Sequence, residues 1–111
     1  MFDGMVGQPI DVVVRQYLCA LAQVGIHARR AVLFGSHAKG TADEWSDIDL
    51  VVIAPELEPP TNRQLVNKLW ELRATTDSRI EPIPCGQREW ETDQSRPILE
   101  IARREGILVV G

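Results

Sequence analysis

The sequence predicts an α/β or α+β fold, a single domain in which helices pack on a small β-sheet. Apolar stripes at helical spacing alternate along the chain with short apolar runs, and no internal repeat or low-complexity tract interrupts the alternation. With 111 residues, of which 44% are hydrophobic and 25% charged, the chain has room for one modest core. We therefore expect residues 1–111 to form one domain.

The first predicted element is a long amphipathic helix. After a loose segment, Met1–Gln8, Pro9 can begin a helix that runs to about Val24, where Gly25 ends it. The spacing predicts an inward stripe of Ile10, Val13, Val14, Tyr17, Leu18, Leu21 and Val24. The same helix contains Cys19, which we expect in the core.

Two strands and a tight turn follow. Apolar runs predict strands at about 31–34 and 48–53, and the pair Gly35-Ser36 stops the first run abruptly, so a turn and a short helix should come next. Thr61 and Gln64 then form a capping-box pattern before a helix over roughly 61–74, on whose apolar face Trp70 should pack.

The last third of the chain predicts a strand, a helix and a strand. The strand lies near 79–83, and Pro82 places it at a sheet edge or a bulge. A polar connection comes next, with Arg88, Glu89, Glu91 and Asp93. Ser95 then resembles an N-cap, Pro97 suits a first helical turn, and Gly106 ends a helix with Ile98, Ile101 and Ala102 inward. We expect residues 107–110 to form a last strand.

The turn after the first strand has the composition of a phosphate site. Gly35 lets the backbone approach a phosphate closely, Ser36 offers a hydroxyl, and the following helix start adds unpaired N–H donors. Lys39 could add a mobile positive charge, and His37 is expected to face solvent. The alternative is that Ser36 merely caps a helix.

A pair of carboxylates stands ten residues after this turn. Asp47 and Asp49 are two apart at the start of the second strand, so their side chains should share one face. Two such carboxylates repel each other unless a cation lies between them, and hard oxygen ligands suit Mg²⁺ together with substrate phosphates. The alternative interpretation is that both aspartates lie in a solvated loop. We expect Asp43 and Glu44 to be loop carboxylates. Trp45 could stack on a nucleobase or cover the loop.

Gly35-Ser36, ten intervening residues and Asp47-Ile48-Asp49 resemble the signature of the DNA polymerase beta-like nucleotidyltransferase superfamily. Gly-Ser-x-Ala-Lys-Gly with Ser-Asp-Ile-Asp-Leu is similar, more narrowly, to its smallest members, the minimal nucleotidyltransferases that pair with HEPN-domain proteins. The resemblance implies the polymerase beta-like fold with a small mixed sheet. It also implies a third carboxylate on a later strand, for which the candidate is Glu81. The alternative is a surface glutamate, paired with Arg79 or unpaired.

The resemblance implies transfer of AMP from ATP to a hydroxyl. Asp47 and Asp49, completed by Glu81, would hold two Mg²⁺ ions, while Gly35, Ser36 and Lys39 would cradle the phosphates. The acceptor would be a tyrosine of a partner HEPN toxin, which makes the chain an antitoxin. The rival interpretation is a non-catalytic antitoxin that neutralises the toxin by binding alone.

Composition limits the other function classes. The formal charge of −4 and the pI near 5.1 disfavour a protein that grips long nucleic acid by its phosphates. Neither CxxC spacing nor a secretory signal accompanies Cys19 and Cys85, so we expect free thiols in a reducing compartment. The apolar runs are too short to cross a bilayer, so the cytoplasm is the expected location.

Overall fold

A computed structural model describes residues 9–111 of the chain. The predicted loose segment, Met1–Gln8, lies outside the described residues. In chain order the elements are α1 (Ile10–Gln23), β1 (Arg30–Phe34), α2 (Ser36–Lys39), β2 (Ile48–Ile53), α3 (Arg63–Glu71), β3 (Ile80–Cys85), α4 (Gln87–Thr92), α5 (Pro97–Glu105) and β4 (Ile107–Val110). Short 3₁₀ turns at Pro55–Leu57 and Leu72–Thr75 precede and follow α3.

The four strands form one mixed sheet in the order β3-β2-β1-β4. β1 pairs antiparallel with β2 and with β4, whereas β2 and β3 run parallel. The parallel pair needs a crossover, which α3 provides. The predicted α/β class is therefore confirmed, and so is the edge position of the strand that contains Pro82.

Side chains alternate between the two faces of the sheet, and each face has its own core. On one face α1 and α3 cover Ala31, Leu33 and the even-numbered residues of β2 from Ile48 to Val52. On the other face α5 and the α4 region cover Val32, Phe34, Val51 and Ile53. A strand buried on both faces must be apolar throughout, which explains the continuous run Leu50–Ile53.

The strands lie close to their predicted positions because uninterrupted apolar runs specify a doubly covered strand well. β2 has the predicted bounds, and β4 is the predicted final strand. β1 begins one residue early, and β3 extends to Cys85. Tyr17, in the predicted stripe of α1, is buried and donates its hydroxyl to the carbonyl of Leu69, which fastens α1 to α3.

Several helix details differ from prediction. The N-cap of α3 is Asn62, whose Oδ1 accepts from the backbone of Gln64 at 2.9 Å, so the Thr61 capping box was wrong. Trp70 lies on the exposed side of α3, against Arg73, and not on the apolar face. Val24 and Cys19 are exposed, because α1 turns only a narrow stripe toward the sheet.

The polar connection also differs, because it folds into the short helix α4. Its Glu89 is buried and accepts from the backbone N–H of Gly86 at 3.0 Å. Ser95 does not cap α5, since Arg96 occupies the N-cap position without a side-chain bond. Leu99 and Ala102 are the buried residues of α5, while Ile101 is exposed.

Within residues 9–111, none of the helices combines the length and the apolar character that a membrane span requires.

Candidate functional site

The Gly-Ser turn is built on a backbone conformation that requires glycine. Gly35 follows β1 with φ 74° and ψ −150°, a region that side chains with a Cβ rarely enter. Its carbonyl accepts from the N–H groups of Ala38 and Lys39, both at 3.1 Å, which closes the single turn of α2. Gly40, at φ 76°, ends that turn. Glycines at both ends therefore fix the sharp change in chain direction.

Gly35 lies directly against Asp49. β1 and β2 pair so that Phe34, the last residue of β1, is opposite Asp49, which brings Gly35 to the Asp49 carboxylate. A Cβ placed on Gly35 would overlap the Asp49 carboxyl group. The fold thus brings two residues of the sequence signature, Gly35 and Asp49, into contact although they are fourteen positions apart in the chain. Ser36 is partly buried as the first residue of α2.

The two aspartates and Glu81 share one face of the sheet. β2 begins at Ile48, whose side chain is buried on the opposite face, so Asp49 points to the α5 side and Asp47 immediately precedes the strand. β3 pairs with β2 in a register that sets Glu81 beside Asp49. Asp47 is exposed, and the other two are partly buried. The sheet therefore brings together the three predicted carboxylates.

Electrostatic repulsion accumulates at Asp49. The pKa of Asp49 is raised, chiefly because burial removes water from the carboxylate, and further because the charges of Asp47 and Glu81 are close. His37 acts in the opposite direction on this pKa. A carboxylate that is both desolvated and surrounded by like charge costs free energy in the ionised form, and a bound cation would remove that cost.

The donor chemistry fits a hard divalent cation. Carboxylate oxygens are the ligands that Mg²⁺ prefers, and the lack of a side chain at Gly35 lets the Asp49 carboxylate lie directly against the turn. Among residues 9–111, however, no three His, Cys, Asp or Glu side chains already stand at ligating distances. A cation at this position would therefore meet the Asp47 and Asp49 carboxylates, whereas Glu81 lies against Arg73.

Glu81 is instead held by Arg73. Its Oε2 lies 3.7 Å from Arg73 Nη2, whereas Arg79, the partner considered from the sequence, pairs with Asp77 at 2.7 Å. Arg73 also lies over the ring of Trp70, 4.7 Å from its centroid, and bonds the carbonyl of Ser78. No sequence signal links Arg73 to the site, because only the packing of the α3 region beside β3 brings it there.

Lys39 lies at the end of α2, at the rim of the site. Its Nζ is 3.4 Å from the Glu105 carboxylate, and both side chains are substantially exposed. Such a pair contributes little stability, about 0–1 kcal/mol, so the ammonium group can exchange this partner for another anion.

The loop between the two halves of the signature is ordered by Asp43. Its Oδ1 accepts from the backbone of Trp45 at 2.9 Å, and its own N–H donates to Ser46 Oγ at 2.9 Å. Asp43 is thus a loop carboxylate, as expected, and Trp45 is presented to solvent with 82% of its surface exposed. His37 is partly buried, contrary to the expectation of solvent exposure, with Nε2 3.4 Å from the carbonyl of Ser46.

Comparison with known proteins identifies a family and shows a fold shared with a solved structure. A family model described as a nucleotidyltransferase domain matches residues 13–91, well over half of the chain and the whole of the site described above. A solved structure described as "Crystal structure of the toxin-antitoxin with AMP-PNP" is similar with a TM-score of 0.53 and 24% identity, over 86% of this chain and 72% of that chain. At this identity the likeness shows the fold alone. No curated protein sequence matches the chain significantly.

Proposed function

Because this chain belongs to the nucleotidyltransferase domain family, we propose that it transfers AMP from ATP to a hydroxyl group, and that the acceptor is a tyrosine of a partner HEPN toxin. The toxin is neutralised by this modification, so the chain acts as an antitoxin. Two features of the similar solved structure support the proposal: it is a toxin–antitoxin structure, and it was determined with AMP-PNP, an ATP analogue.

The observation that carries the proposal is the contact between the two halves of the signature. Gly35 has no side chain where the Asp49 carboxylate lies, and Asp47 and Glu81 add negative charge around it. A phosphate-binding turn directly beside clustered carboxylates is the arrangement that a metal-bound triphosphate requires. A purely structural turn would have no need for repelling carboxylates.

Different groups of the protein have different roles in the proposed reaction. Backbone N–H groups at Gly35 and Ser36, with Lys39, would hold the β- and γ-phosphates. Asp47, Asp49 and Glu81 would hold Mg²⁺, which when bound offsets the developing charge on the triphosphate. The acceptor oxygen bonds to the α-phosphorus, the bond from that phosphorus to the bridging oxygen breaks, and pyrophosphate leaves with the electron pair. Glu81 would accept the proton of the attacking hydroxyl.

One observation favours a second candidate, an antitoxin that acts by binding alone. Glu81, the proposed proton acceptor, is engaged by Arg73 at 3.7 Å. A carboxylate that already pairs with a guanidinium is less available to a metal ion, which would suit a domain that keeps the fold and occludes its partner.

Intact mass spectrometry of the partner separates the two candidates. The tagged chain is used to capture its native partner, and both are incubated with ATP and Mg²⁺. We expect the partner to gain one or more AMP units with the wild type and none with Asp47→Asn. Glu44→Gln, which removes an exposed loop carboxylate near Asp47, is the matched control and should retain transfer.

Thermal stability provides a second readout that needs no partner. ATP with Mg²⁺ should raise the melting temperature of the wild type and of Glu44→Gln but not of Asp47→Asn, because ligand binding to the folded state adds RT ln(1 + [L]/Kd) to its stability. An unmodified partner in a stable complex, together with equal melting temperatures with and without ATP, would contradict catalysis and favour neutralisation by binding.

A further inference from the structure

A cavity of about 320 Å³ lies at the end of the sheet away from the candidate active site. It is lined by residues before and at the start of β1, at and after the end of β2, and at the start of α4: His27, Arg29, Arg30, Ile53, Pro55 and Gln87. Ile53 ends β2 four residues beyond Asp49, which is roughly 13 Å along an extended strand. The cavity is therefore separate from the Gly35-Ser36 turn and its carboxylates.

Arg30 reaches this cavity from the sheet face that α4 and α5 cover. Its side chain points to the same side as that of Val32, because residues two apart on a strand share a face. Only 33% of the Arg30 side chain is exposed, yet its guanidinium donates no hydrogen bond within residues 9–111, and Nη2 is fully buried. Buried polar groups nearly always have a hydrogen-bond partner. A partly buried guanidinium without one therefore requires an explanation.

The two carboxylates around the cavity do not occupy these donors. Glu91 Oε2, on α4, lies 3.8 Å from Arg30 Nη2, which is too long for a hydrogen bond, and 55% of the Glu91 side chain is exposed. Glu56 is already bonded twice by His27, from the backbone N–H at 2.9 Å and through ring Nδ1 at 2.8 Å. These two bonds hold His27 in place at the cavity wall. Neither glutamate thus satisfies Arg30.

Arg29 brings a second guanidinium to the same cavity. It is exposed and, unlike Arg79 and Arg96, forms no ion pair with a carboxylate in the part of the chain that the structure describes. Consecutive residues of an extended chain point to opposite sides, yet both arginines line the cavity. The two guanidiniums therefore approach it from different directions, with hydrogen-bond donors that no group of residues 9–111 uses.

We propose that this cavity binds a phosphate monoester, whose phosphate group is held by Arg29 and Arg30. A tetrahedral phosphate directs oxygens to several sides and can accept from two guanidiniums at once, whereas a planar carboxylate matches the fork of a single guanidinium. A water molecule occupies roughly 30 Å³ in the liquid, so the cavity has room for more than a phosphate group. Ile53 and Pro55 provide apolar surface for the organic part of the ligand, and the Gln87 amide adds a polar group to the wall.

Titrations followed by the backbone amide NMR signals test the proposal on the intact chain. Inorganic phosphate and phenyl phosphate are added separately at constant ionic strength, so that general screening of charge does not change. We expect saturable shifts of the Arg30 and Gln87 amides with phenyl phosphate. This compound should bind more tightly than inorganic phosphate, because its ring can contact Ile53 and Pro55. Equal affinity for the two compounds would contradict a monoester and identify free phosphate as the ligand.

Charge variants show whether the two arginines hold the phosphate. Arg30→Gln should weaken the binding of phenyl phosphate by about 10- to 100-fold, as expected for the loss of a charge-assisted hydrogen bond. Arg29→Gln, at an exposed position, should act in the same direction and tests the site even if Arg30→Gln does not fold. Glu91→Gln should strengthen binding, because it removes a negative charge beside Arg30. The matched control is Arg63→Gln, at an exposed residue of α3 on the other face of the sheet, which should bind like the wild type.

Three results would overturn the proposal. Shifts confined to the amides of Gly35 and Ser36 would show that the phosphate binds only at the turn of the candidate active site. Equal weakening by Arg30→Gln and Arg63→Gln would show a general effect of charge. The absence of saturable shifts with either compound would show that the cavity holds water alone.

Discussion

At the scale of single residues, the turn at Gly35 combines two demands that only glycine meets. Its φ of 74° with ψ of −150° excludes residues that carry a Cβ, and the space where the Cβ would lie is occupied by the Asp49 carboxylate. Gly40 has a similar φ of 76°, but nothing lies within 4 Å of the position of its Cβ. Substitutions at Gly35 and Gly40 therefore separate the cost of backbone strain from the cost of overlap with Asp49.

Gly35→Ala should lower the free energy of unfolding by about 1–3 kcal/mol from strain alone, with a further loss from the overlap with Asp49. Gly40→Ala should cost less, about 1–2 kcal/mol, since left-handed helical geometry is the milder strain. Urea denaturation at equal protein concentration measures both values. Equal losses for the two variants would contradict the close approach of Gly35 to Asp49.

The loss of folding stability caused by the ionised Asp49 carboxylate can also be measured. Its raised pKa, due to burial and to Asp47 and Glu81, means that the ionised form destabilises the folded state. Asp49→Asn mimics the protonated carboxyl. We expect it to raise the melting temperature without metal by about 1–6 °C, the equivalent of relieving ~0.2–1 kcal/mol of cross-strand repulsion in a domain of this size.

The pH dependence of the difference in stability between wild type and Asp49→Asn follows from the direction of the pKa shift of Asp49. Because the folded pKa of Asp49 lies above its unfolded value, wild type and Asp49→Asn should be equally stable below the ordinary pKa of aspartate. The wild type should then become less stable than Asp49→Asn as the pH rises through the raised pKa of Asp49. Melting curves in EDTA from pH 3 to pH 7 check this, and a wild type that is more stable than the variant at pH 7 would contradict the repulsion.

At the scale of elements, α4 shows how a short polar helix is held by its neighbours. Glu89 accepts from the backbone of Gly86 at 3.0 Å and from Arg96, at the start of α5, at 2.8 Å. Arg103 of α5 donates to the carbonyl of Trp90 and lies over its ring. These contacts connect α4 to α5 and stabilise a helix of only six residues, which would be marginal in isolation.

Glu89→Ala should therefore lower the free energy of unfolding by about 1–3 kcal/mol, because a buried carboxylate with two partners is removed and those partners lose their bonds. Glu91→Ala is the control in the same helix. Its carboxylate is exposed and lies 3.8 Å from Arg30, so the expected loss is at most about 1 kcal/mol. Chemical denaturation of both variants measures these losses. A larger loss for Glu89→Ala indicates a buried network, whereas equal losses indicate a general effect of removing charge from the helix.

At the scale of the whole molecule, the two cores leave the cysteines in opposite environments. Cys85 ends β3 inside the core beneath α5, and burial, assisted by the charge of Glu89, raises the pKa of its thiol to about 12. Cys19 is exposed on α1. Because a thiolate is the reactive form and must be accessible, the fold as a whole determines which thiol reacts.

A thiol reagent should consequently label one cysteine quickly in the native protein and the second only in denaturant. Cys19→Ser should abolish the fast phase, and Cys85→Ser should leave it unchanged. Mass spectrometry of the labelled protein counts the modified sites. Rapid labelling of two thiols under native conditions would show that the sheet edge at β3 opens far more easily than its burial indicates.

The strands and the candidate site could be predicted more completely than the helix surfaces. Runs such as Leu50–Ile53 are apolar at every position, so they are unambiguous, and the Gly35-Ser36 and Asp47-x-Asp49 pattern combines local conformation with chemistry. The predicted burial of helix residues was wrong where it depends on which neighbouring element packs there. Trp70, Ile101 and Cys19 lie on sides of their helices that the neighbouring elements leave partly uncovered. Polar α4 was missed because tertiary bonds stabilise it.

The sequence by itself determined the alternation of helix and strand, the strained turn at Gly35 and the pair Asp47 and Asp49, because each depends on residues close in the chain. Only the tertiary structure decided that Gly35 touches Asp49, that Glu81 lies beside Asp49 but pairs with Arg73, and that β4 lies at the end of the sheet opposite β3. These features depend on strand order and register, which arise when distant segments pack together and which no local pattern encodes.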